Sequence, residues 1–442
     1  MADSRQASGT LPSGSTYRLA VPAAWNDMLL LLARPIPQDP AEEGWGPDAS
    51  MVSAMLAEGY AVTGSVNTMF WPLERAFADH DPLLEAFTRQ VAHPGRVIAV
   101  GTSIGGIMTA GLVQVAPERF AGALPLCGNL SGAVATHNRE FDIAFTIKTL
   151  LAADTPLEVA RISDPAANLR LARTVLEQAQ VQPSGRARLA LAAAMGNMPG
   201  WHDPAAPEPA VDDVVARQRA QYEWYDEVCF LVFFWARQQV EQQAGGNPSW
   251  NDGVDYRALL ATSINRDVVD VLYREAGLDL EADLDALAAA PRTTADPDAV
   301  AYLERHIVFD GQLGGVPVLT VHSDGDGLVT PDNERAYRDV VAWAGQSDLL
   351  RQLHVHRGGH CTFTAAETVV ALDALVARID GGRWPELDPD GLNAAVAAKP
   401  PAMQMIRTGQ QAAPAFIDYQ PWQTARPYDA RHQEERRRAT AG

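Results

Sequence analysis

Residues 96–105 read RVIAVGTSIG, and this stretch decides the fold. The run Arg96–Val100 is apolar and rich in β-branched residues, which predicts a buried strand of about five residues. From Ile104 to Ala116 the apolar residues recur at helical spacing, so a helix follows the strand at once. Between the two lies a G-x-S-x-G match, which predicts a sharp turn with the Ser103 hydroxyl above the end of the strand.

The residue types of this turn suit a nucleophile. Gly101 and Gly105 leave room for neighbouring backbone where a Cβ atom would clash. The first turn of the following helix contributes partial positive charge, and the N–H group of Ile104 would face a developing oxyanion. We therefore predict Ser103 as the nucleophile and Ile104 as one oxyanion donor.

The same alternation of strand and helix recurs on both sides of this turn. It predicts a mostly parallel sheet covered by helices on both faces, which is an α/β class fold. The other predicted strands are Met28–Ala33, Tyr60–Ser65, Ala123–Cys127, Val316–His322 and Gln352–His356, and the other predicted helices cover 47–58, 72–92 and 364–380.

A serine hydroxyl needs a base, and the base needs an acid that orients it. His360 follows the predicted strand Gln352–His356, so it lies at the same edge of the sheet as Ser103. Asp326 follows the strand Val316–His322 in the same way, and Asp324 is its local competitor. We favour Asp326, because Val329 can then anchor the turn beneath the acid.

The histidines also allow a metal hydrolase as an alternative. His354, His356 and His360 offer three imidazoles, and His322 and Asp324 offer two further ligands. This interpretation leaves the G-x-S-x-G turn unexplained, and we expect no metal.

Residues 140–310 differ from the rest, because they are rich in Ala, Leu, Arg, Glu and Gln and predict six or more helices. Of 10 Trp, 10 Tyr and 12 Phe in the chain, ten fall between Trp201 and Tyr256. Such aromatic residues at helical spacing are usually core, and they could also form a docking face. As candidates for an apolar substrate pocket we single out Trp201, Trp224, Tyr225 and Trp250.

The chain resembles the α/β-hydrolase superfamily over about 16–127 and 311–384. The resemblance rests on three motifs that each follow a predicted strand, GTSIGG, SDGDGLVTP and GGHCTFT. The chain order Ser, Asp, His is that of this superfamily. The resemblance implies a helical cap after Cys127. It also implies that the substrate is an ester, lactone or thioester and that no cofactor is needed. The chain then divides into a first core segment (1–128), a cap (129–310), a second core segment (311–384) and an extended tail (385–442).

One position departs from the pattern of that superfamily. After the first central strand such enzymes usually carry His-Gly, whose loop supplies a second oxyanion donor, whereas this chain reads Ala33-Arg34-Pro35. Proline has no N–H to donate. The donor would come from Arg34, Ile36 or a residue further along the chain, with the Arg34 guanidinium as one candidate. Because of this change, a non-hydrolytic cyclase, lyase or binding protein is the alternative function.

The cysteines give a second comparison. Tannase-like esterases pair a Cys before the nucleophile with a Cys after the catalytic His, but Thr102 stands at the first position here. Cys127 could lie near Cys361, and for a cytoplasmic protein we expect two thiols rather than a disulfide.

Composition limits the partners. The chain has 442 residues and a net charge of −20, which argues against nucleic acid as the main partner. The polar N terminus lacks the apolar core of a signal peptide, and no run approaches about 18 apolar residues, so we expect a cytoplasmic protein without a membrane span. The expected substrate is a small hydrophobic ester-like molecule.

Overall fold

A nine-stranded sheet forms the centre of the computed structural model, which describes residues 4–34, 44–66 and 69–441. The strands run in the order β1-β2-β4-β3-β5-β6-β7-β8-β9 across the sheet. The strands are β1 (Ser4–Thr10), β2 (Thr16–Pro22), β3 (Met28–Ala33), β4 (Ala61–Val66), β5 (Arg96–Thr102), β6 (Gly122–Leu126), β7 (Val318–Gly325), β8 (Leu350–Gly358) and β9 (Phe416–Ile417).

The six strands from β4 to β8 are parallel, as the sequence predicts. They are almost completely buried because helices cover both faces, which explains their continuous apolar runs. The hairpin β1–β2 adds to one edge in antiparallel orientation, and β9 adds to the other. This arrangement is the α/β-hydrolase fold.

Two hydrophobic cores lie on opposite faces of the sheet. One face packs against α1 (Ala49–Ala57), α14 (Ala365–Gly381) and α15 (Pro389–Ala397). The other packs against α2 (Leu73–Gln90), α3 (Ile104–Val115) and α13 (Asp332–Trp343). The four helices predicted around the sheet, including the one after Ser103, are all present within two residues of the expected ends.

A helical insertion separates β6 from β7 and has two hydrophobic clusters of its own. The term helical insertion is used below for the segment from the start of α4 to the end of α12. Its helices are α4 (Ala133–Leu151), α5 (Pro165–Gln180), α6 (Pro183–Met195), α7 (Val214–Trp224), α8 (Arg237–Ala244), α9 (Tyr256–Ala261), α10 (Arg266–Ala276), α11 (Leu280–Ala289) and α12 (Pro297–Arg305). Two π-helical turns, Tyr225–Cys229 and Val232–Ala236, lie between α7 and α8.

The C-terminal segment corrects the expected extended tail. It contains α15, β9 and a final helix α16 (Ala430–Ala441). An extended tail is predicted from Pro400, Pro401, Pro414, Pro421 and Pro427, which lie between these short elements. Pro389 stands in the first turn of α15, where proline is tolerated. No helix of the described residues combines the length and apolar character needed to cross a membrane.

Candidate active site

The turn at Ser103 has the strained backbone that a strand-to-helix turn of this kind requires. Ser103 has φ 58° and ψ −123°, a region that non-glycine residues rarely adopt. Its N–H donates to the Leu126 carbonyl at 2.9 Å, which fixes the turn to β6. A Cβ atom on Gly101 would lie 2.3 Å from the carbonyl oxygen of Gly105, so only glycine fits there.

A second close approach was not anticipated from the sequence. A Cβ atom on Gly106 would lie 2.6 Å from Cα of Gly128, where α3 passes the loop after β6. The third Gly of GTSIGG is the only signal of it, and the sequence alone does not say which atoms lie next to that glycine.

The structure brings Ser103, His360 and Asp326 together in one hydrogen-bonded chain. Nε2 of His360 is 2.8 Å from Oγ of Ser103, and Nδ1 of His360 is 2.6 Å from Oδ2 of Asp326. Asp326 is completely buried, whereas Ser103 and His360 are partly exposed. A hydroxyl on one ring nitrogen and a carboxylate on the other match a neutral imidazole with its proton on Nδ1. In this arrangement Nε2 can accept the serine proton.

The turn after β7 holds Asp326 in place. The N–H groups of Leu328 and Val329 both donate to Oδ1 of Asp326 at 3.0 Å, so Val329 does anchor the turn. Asp324 instead binds Nδ1 of His356 at 2.7 Å on the neighbouring strand. The competitor is therefore engaged elsewhere.

The three histidines of the metal alternative do not converge. His354 is buried against the ring of Tyr419, while His356 is exposed beside Trp201. The rings of these two histidines therefore have different partners, Tyr419 for His354 and Trp201 with Asp324 for His356. Among the described residues, the group with metal-binding spacing is Cys127, His360 and Cys361, and its two sulfur atoms are bonded to each other.

That bond corrects the expectation of two free thiols. Cys127 and Cys361 form a disulfide with Cα atoms 5.6 Å apart. Cys127 directly follows β6 and Cys361 follows His360, so the fold places them at the same edge of the sheet. Sγ of Cys361 lies 3.3 Å from Nε2 of His360, and the disulfide is therefore a neighbour of that imidazole.

The predicted oxyanion residues differ in what they offer. Ile104 is the first residue of α3, and such an amide has no acceptor within its own helix. The Arg34 side chain is buried, donates to Asp48 at 3.3 Å and to the Trp45 carbonyl at 2.8 Å, and lies over the Trp45 ring. These contacts tie the guanidinium to the segment before α1. Pro35 and Ile36 lie outside the described residues.

Of the four aromatic candidates, two adjoin the loops of the site. The ring of Trp201 packs on Gly325 and Gly358, and that of Trp224 packs on Gly327. Nε1 of Trp224 donates to the Trp201 carbonyl at 3.1 Å, which joins the two residues. They form a wall behind the turns that carry Asp326 and His360.

Tyr225 and Trp250 lie elsewhere. Tyr225 is completely buried in the helical insertion, where its hydroxyl donates to the Leu189 carbonyl at 3.1 Å. Trp250 contacts Tyr428 and the guanidinium of Arg426 in the C-terminal segment. Tyr225 is therefore a core residue of the insertion, whereas Trp250 lies in the loop before α9 and lines a cavity together with residues of the C-terminal segment.

Arg139 of α4 is a further residue of the site that sequence reasoning missed. Its guanidinium donates to the carbonyls of Gly327 and Leu328 at 3.2 and 2.9 Å, and to that of Gly196 at 2.7 Å. The helical insertion is thus hydrogen-bonded to the turn that holds Asp326. An arginine within a helical pattern carries no signal of such a contact.

The chain is similar in sequence or in fold to several known hydrolases. The chain is 31% identical over 420 residues to the o-phthalyl amidase of Xanthobacter agilis, covering 88% of this chain and 90% of that protein. Among solved structures, feruloyl esterase B from Aspergillus oryzae has 13% identity and a TM-score of 0.39, covering 86% of this chain and 81% of that one. The rice cell wall degrading esterase LipA from Xanthomonas oryzae has 13% identity and a TM-score of 0.37, covering 86% and 90%. No family model matches the chain.

Proposed function

Because the chain belongs to the family of hydrolases that includes the o-phthalyl amidase of Xanthobacter agilis, we propose that it cleaves an acyl bond by serine catalysis. The observation that carries the proposal is the hydrogen-bonded chain from Ser103 through His360 to Asp326, with contacts of 2.8 and 2.6 Å. Nucleophile, base and orienting acid are the three groups that such catalysis requires.

Acylation begins when the Ser103 hydroxyl attacks the carbonyl carbon of the substrate. Nε2 of His360 takes the serine proton, and Asp326 stabilises the imidazolium that forms. The N–H of Ile104 donates to the tetrahedral oxyanion, together with a donor from 34–36. His360 then gives its proton to the leaving group, which departs and leaves an acyl-enzyme.

Deacylation repeats these roles with water as the nucleophile. His360 accepts a proton from the attacking water, and the second tetrahedral intermediate collapses to release the acid and restore Ser103. The reaction consumes one water molecule and needs no oxidant, reductant or other co-reactant.

The substrate is a small molecule with a reactive acyl group. An ester, lactone or thioester fits the superfamily, while the relative's name favours an amide as a second candidate. The two classes differ in the leaving group, because an amine must be protonated by His360 before it departs. The expectation of an apolar group next to the acyl carbon rests on the aromatic residues Trp201 and Trp224, which pack against the turns of Asp326 and His360.

The test compares the wild-type protein with Ser103→Ala on matched p-nitrophenyl esters and p-nitroanilides of the same acyl chains. We expect kcat on the preferred series to fall by at least about 10⁴-fold in the variant, because the nucleophile is lost. The ratio of ester to anilide turnover assigns the bond that is cleaved.

A fluorophosphonate probe supplies the control. It should label the wild-type protein at Ser103 and leave Ser103→Ala unlabelled, because the probe reacts only with an activated serine. An unlabelled wild-type protein would favour the non-hydrolytic alternative that the Arg34-Pro35 sequence raises. Equal turnover by the two proteins would remove Ser103 from the mechanism.

A further inference from the structure

A second histidine lies behind Asp326 and takes no part in the proposed reaction. His322 on β7 is completely buried. Its Nε2 lies 2.8 Å from the Val329 carbonyl oxygen, and its Nδ1 lies 3.1 Å from Oε1 of Glu334 on α13. A neutral imidazole has one N–H group only, so two acceptors on its two nitrogens require the doubly protonated imidazolium.

Glu334 acts as an acceptor in all of its contacts. It is completely buried, and its Oε2 receives the Thr320 hydroxyl and the Gln352 amide while Oε1 receives His322. Three donors around one carboxyl group match the ionised form, which only accepts. Burial by itself lowers the pKa of His322, but the hydrogen bond and charge of Glu334 and the charge of Asp326 outweigh it and raise the pKa above its usual value.

His322 reaches the proposed site in two ways. Through the Val329 peptide it holds the same turn whose N–H binds Oδ1 of Asp326. Its Nε2 also lies 3.8 Å from Oδ2 of Asp326, the oxygen that faces His360. Asp326 is thus enclosed between two imidazoles.

We propose that His322 is a permanently charged positioning residue, which fixes the turn of Asp326 and supplies positive charge behind that carboxylate. The inference rests on the proposed function, because it concerns the same Ser103, His360 and Asp326. It assigns a role to a buried ion pair that a stable fold alone does not require.

His322 is the positively charged group between the carboxylates of Glu334 and Asp326. Burial lowers the pKa of its neighbour His354 to about 4, so that imidazole is neutral near pH 7. Burial also raises the pKa of Asp332, while Arg139 is occupied by backbone carbonyls. The ionisable groups that interact with His322 are Glu334 and Asp332 of α13, Asp326 of the turn and His354 of β8, and Arg139 of α4 interacts with Asp332.

The first test measures the charge of His322 directly and needs no substrate. The whole protein, labelled with ¹⁵N-histidine, is compared by NMR with His322→Gln, whose missing signals assign His322. We expect both ring nitrogens to carry protons with no titration from about pH 6 to about pH 8, the range in which an ordinary histidine changes charge. A His322 that titrates or carries one proton there would overturn the proposal.

The second test separates positioning from folding. In His322→Gln we expect kcat to fall between about tenfold and about 100-fold with KM little changed, as for a displacement of about 1 Å.

A charge-balanced variant is the matched control. In His322→Gln the buried charge of Glu334 has no partner, so the Tm should fall. In His322→Gln/Glu334→Gln both buried charges are removed, so the Tm should return towards the wild-type value while kcat stays low. If kcat recovers together with the Tm, His322 has a structural role only and the proposal is wrong.

The two proposals fail in different ways. Fluorophosphonate labelling of Ser103 tests the serine mechanism whatever the charge of His322. A labelled protein with a neutral His322 would refute this inference alone, whereas an unlabelled protein with a charged His322 would refute the proposed function alone.

Discussion

At the residue scale, two carboxylates two positions apart have different partners. Asp324 belongs to β7 and binds His356 of the adjacent strand, whereas Asp326 lies on the turn beyond it and binds His360. The sequence favoured Asp326 through Val329, and the structure adds the two N–H groups that donate to its second oxygen. The assignment depends on which residue leaves the strand.

The corresponding prediction uses the two acids as a matched pair. Asp326→Asn should lower kcat by about 10⁴-fold, because an amide no longer holds His360 in the required tautomer. Asp324→Asn should leave kcat close to the wild-type value, since its partner His356 is exposed and does not contact Ser103 or His360. Steady-state kinetics on the preferred substrate distinguish the two, and the reverse ranking would assign the acid to Asp324.

At the scale of elements, the position of Ser103 depends on how closely α3 approaches β6 and the loop behind it. The contact between Gly106 and Gly128 brings two backbones together with no side chain between them. The strands and helices around Ser103 were predictable, because their periodicity is local. The edge strands β1 and β9 were not, because β1 is polar and β9 has only two residues, so their pairing comes from the rest of the sheet.

Gly106→Ala tests this close approach. The added Cβ atom meets backbone, which cannot move aside as a flexible side chain would, so we expect the free energy of unfolding to fall by about 1–3 kcal/mol. Gly381→Ala at the end of α14 is the control, because no atom lies within 4 Å of its Cβ position. That variant should change the free energy by less than about 1 kcal/mol, in the stabilising direction. Urea unfolding measures both, and equal stability of the two variants would contradict the close approach.

At the scale of the whole molecule, the disulfide joins the two core segments across the helical insertion. Cys127 and Cys361 are 234 positions apart in the sequence, and the whole insertion lies between them. The third cysteine, Cys229, is buried in the insertion and has no disulfide partner. The bond therefore constrains the unfolded chain over more than half of its length.

Loss of this bond should destabilise the protein. In Cys127→Ala/Cys361→Ala we expect the free energy of unfolding to fall by about 2–5 kcal/mol, because a large loop is no longer closed in the unfolded state. Wild type with reductant should approach the same value, and Cys229→Ala should keep the full response to reductant. Unfolding curves of the wild type that are identical with and without reductant would show that the bond does not form in solution.

The sequence by itself determined the parallel sheet, the turn that carries Ser103 and the order of Ser103, Asp326 and His360, because these depend on local periodicity and turn chemistry. Only the tertiary structure decided that Cys127 pairs with Cys361, that Arg34 contacts Asp48, and which tryptophans adjoin the site. The charge of His322 belongs to the same group, since Glu334 and Val329 must both reach it. Side-chain partners across folded elements have no local signature, so three-dimensional packing alone selects them.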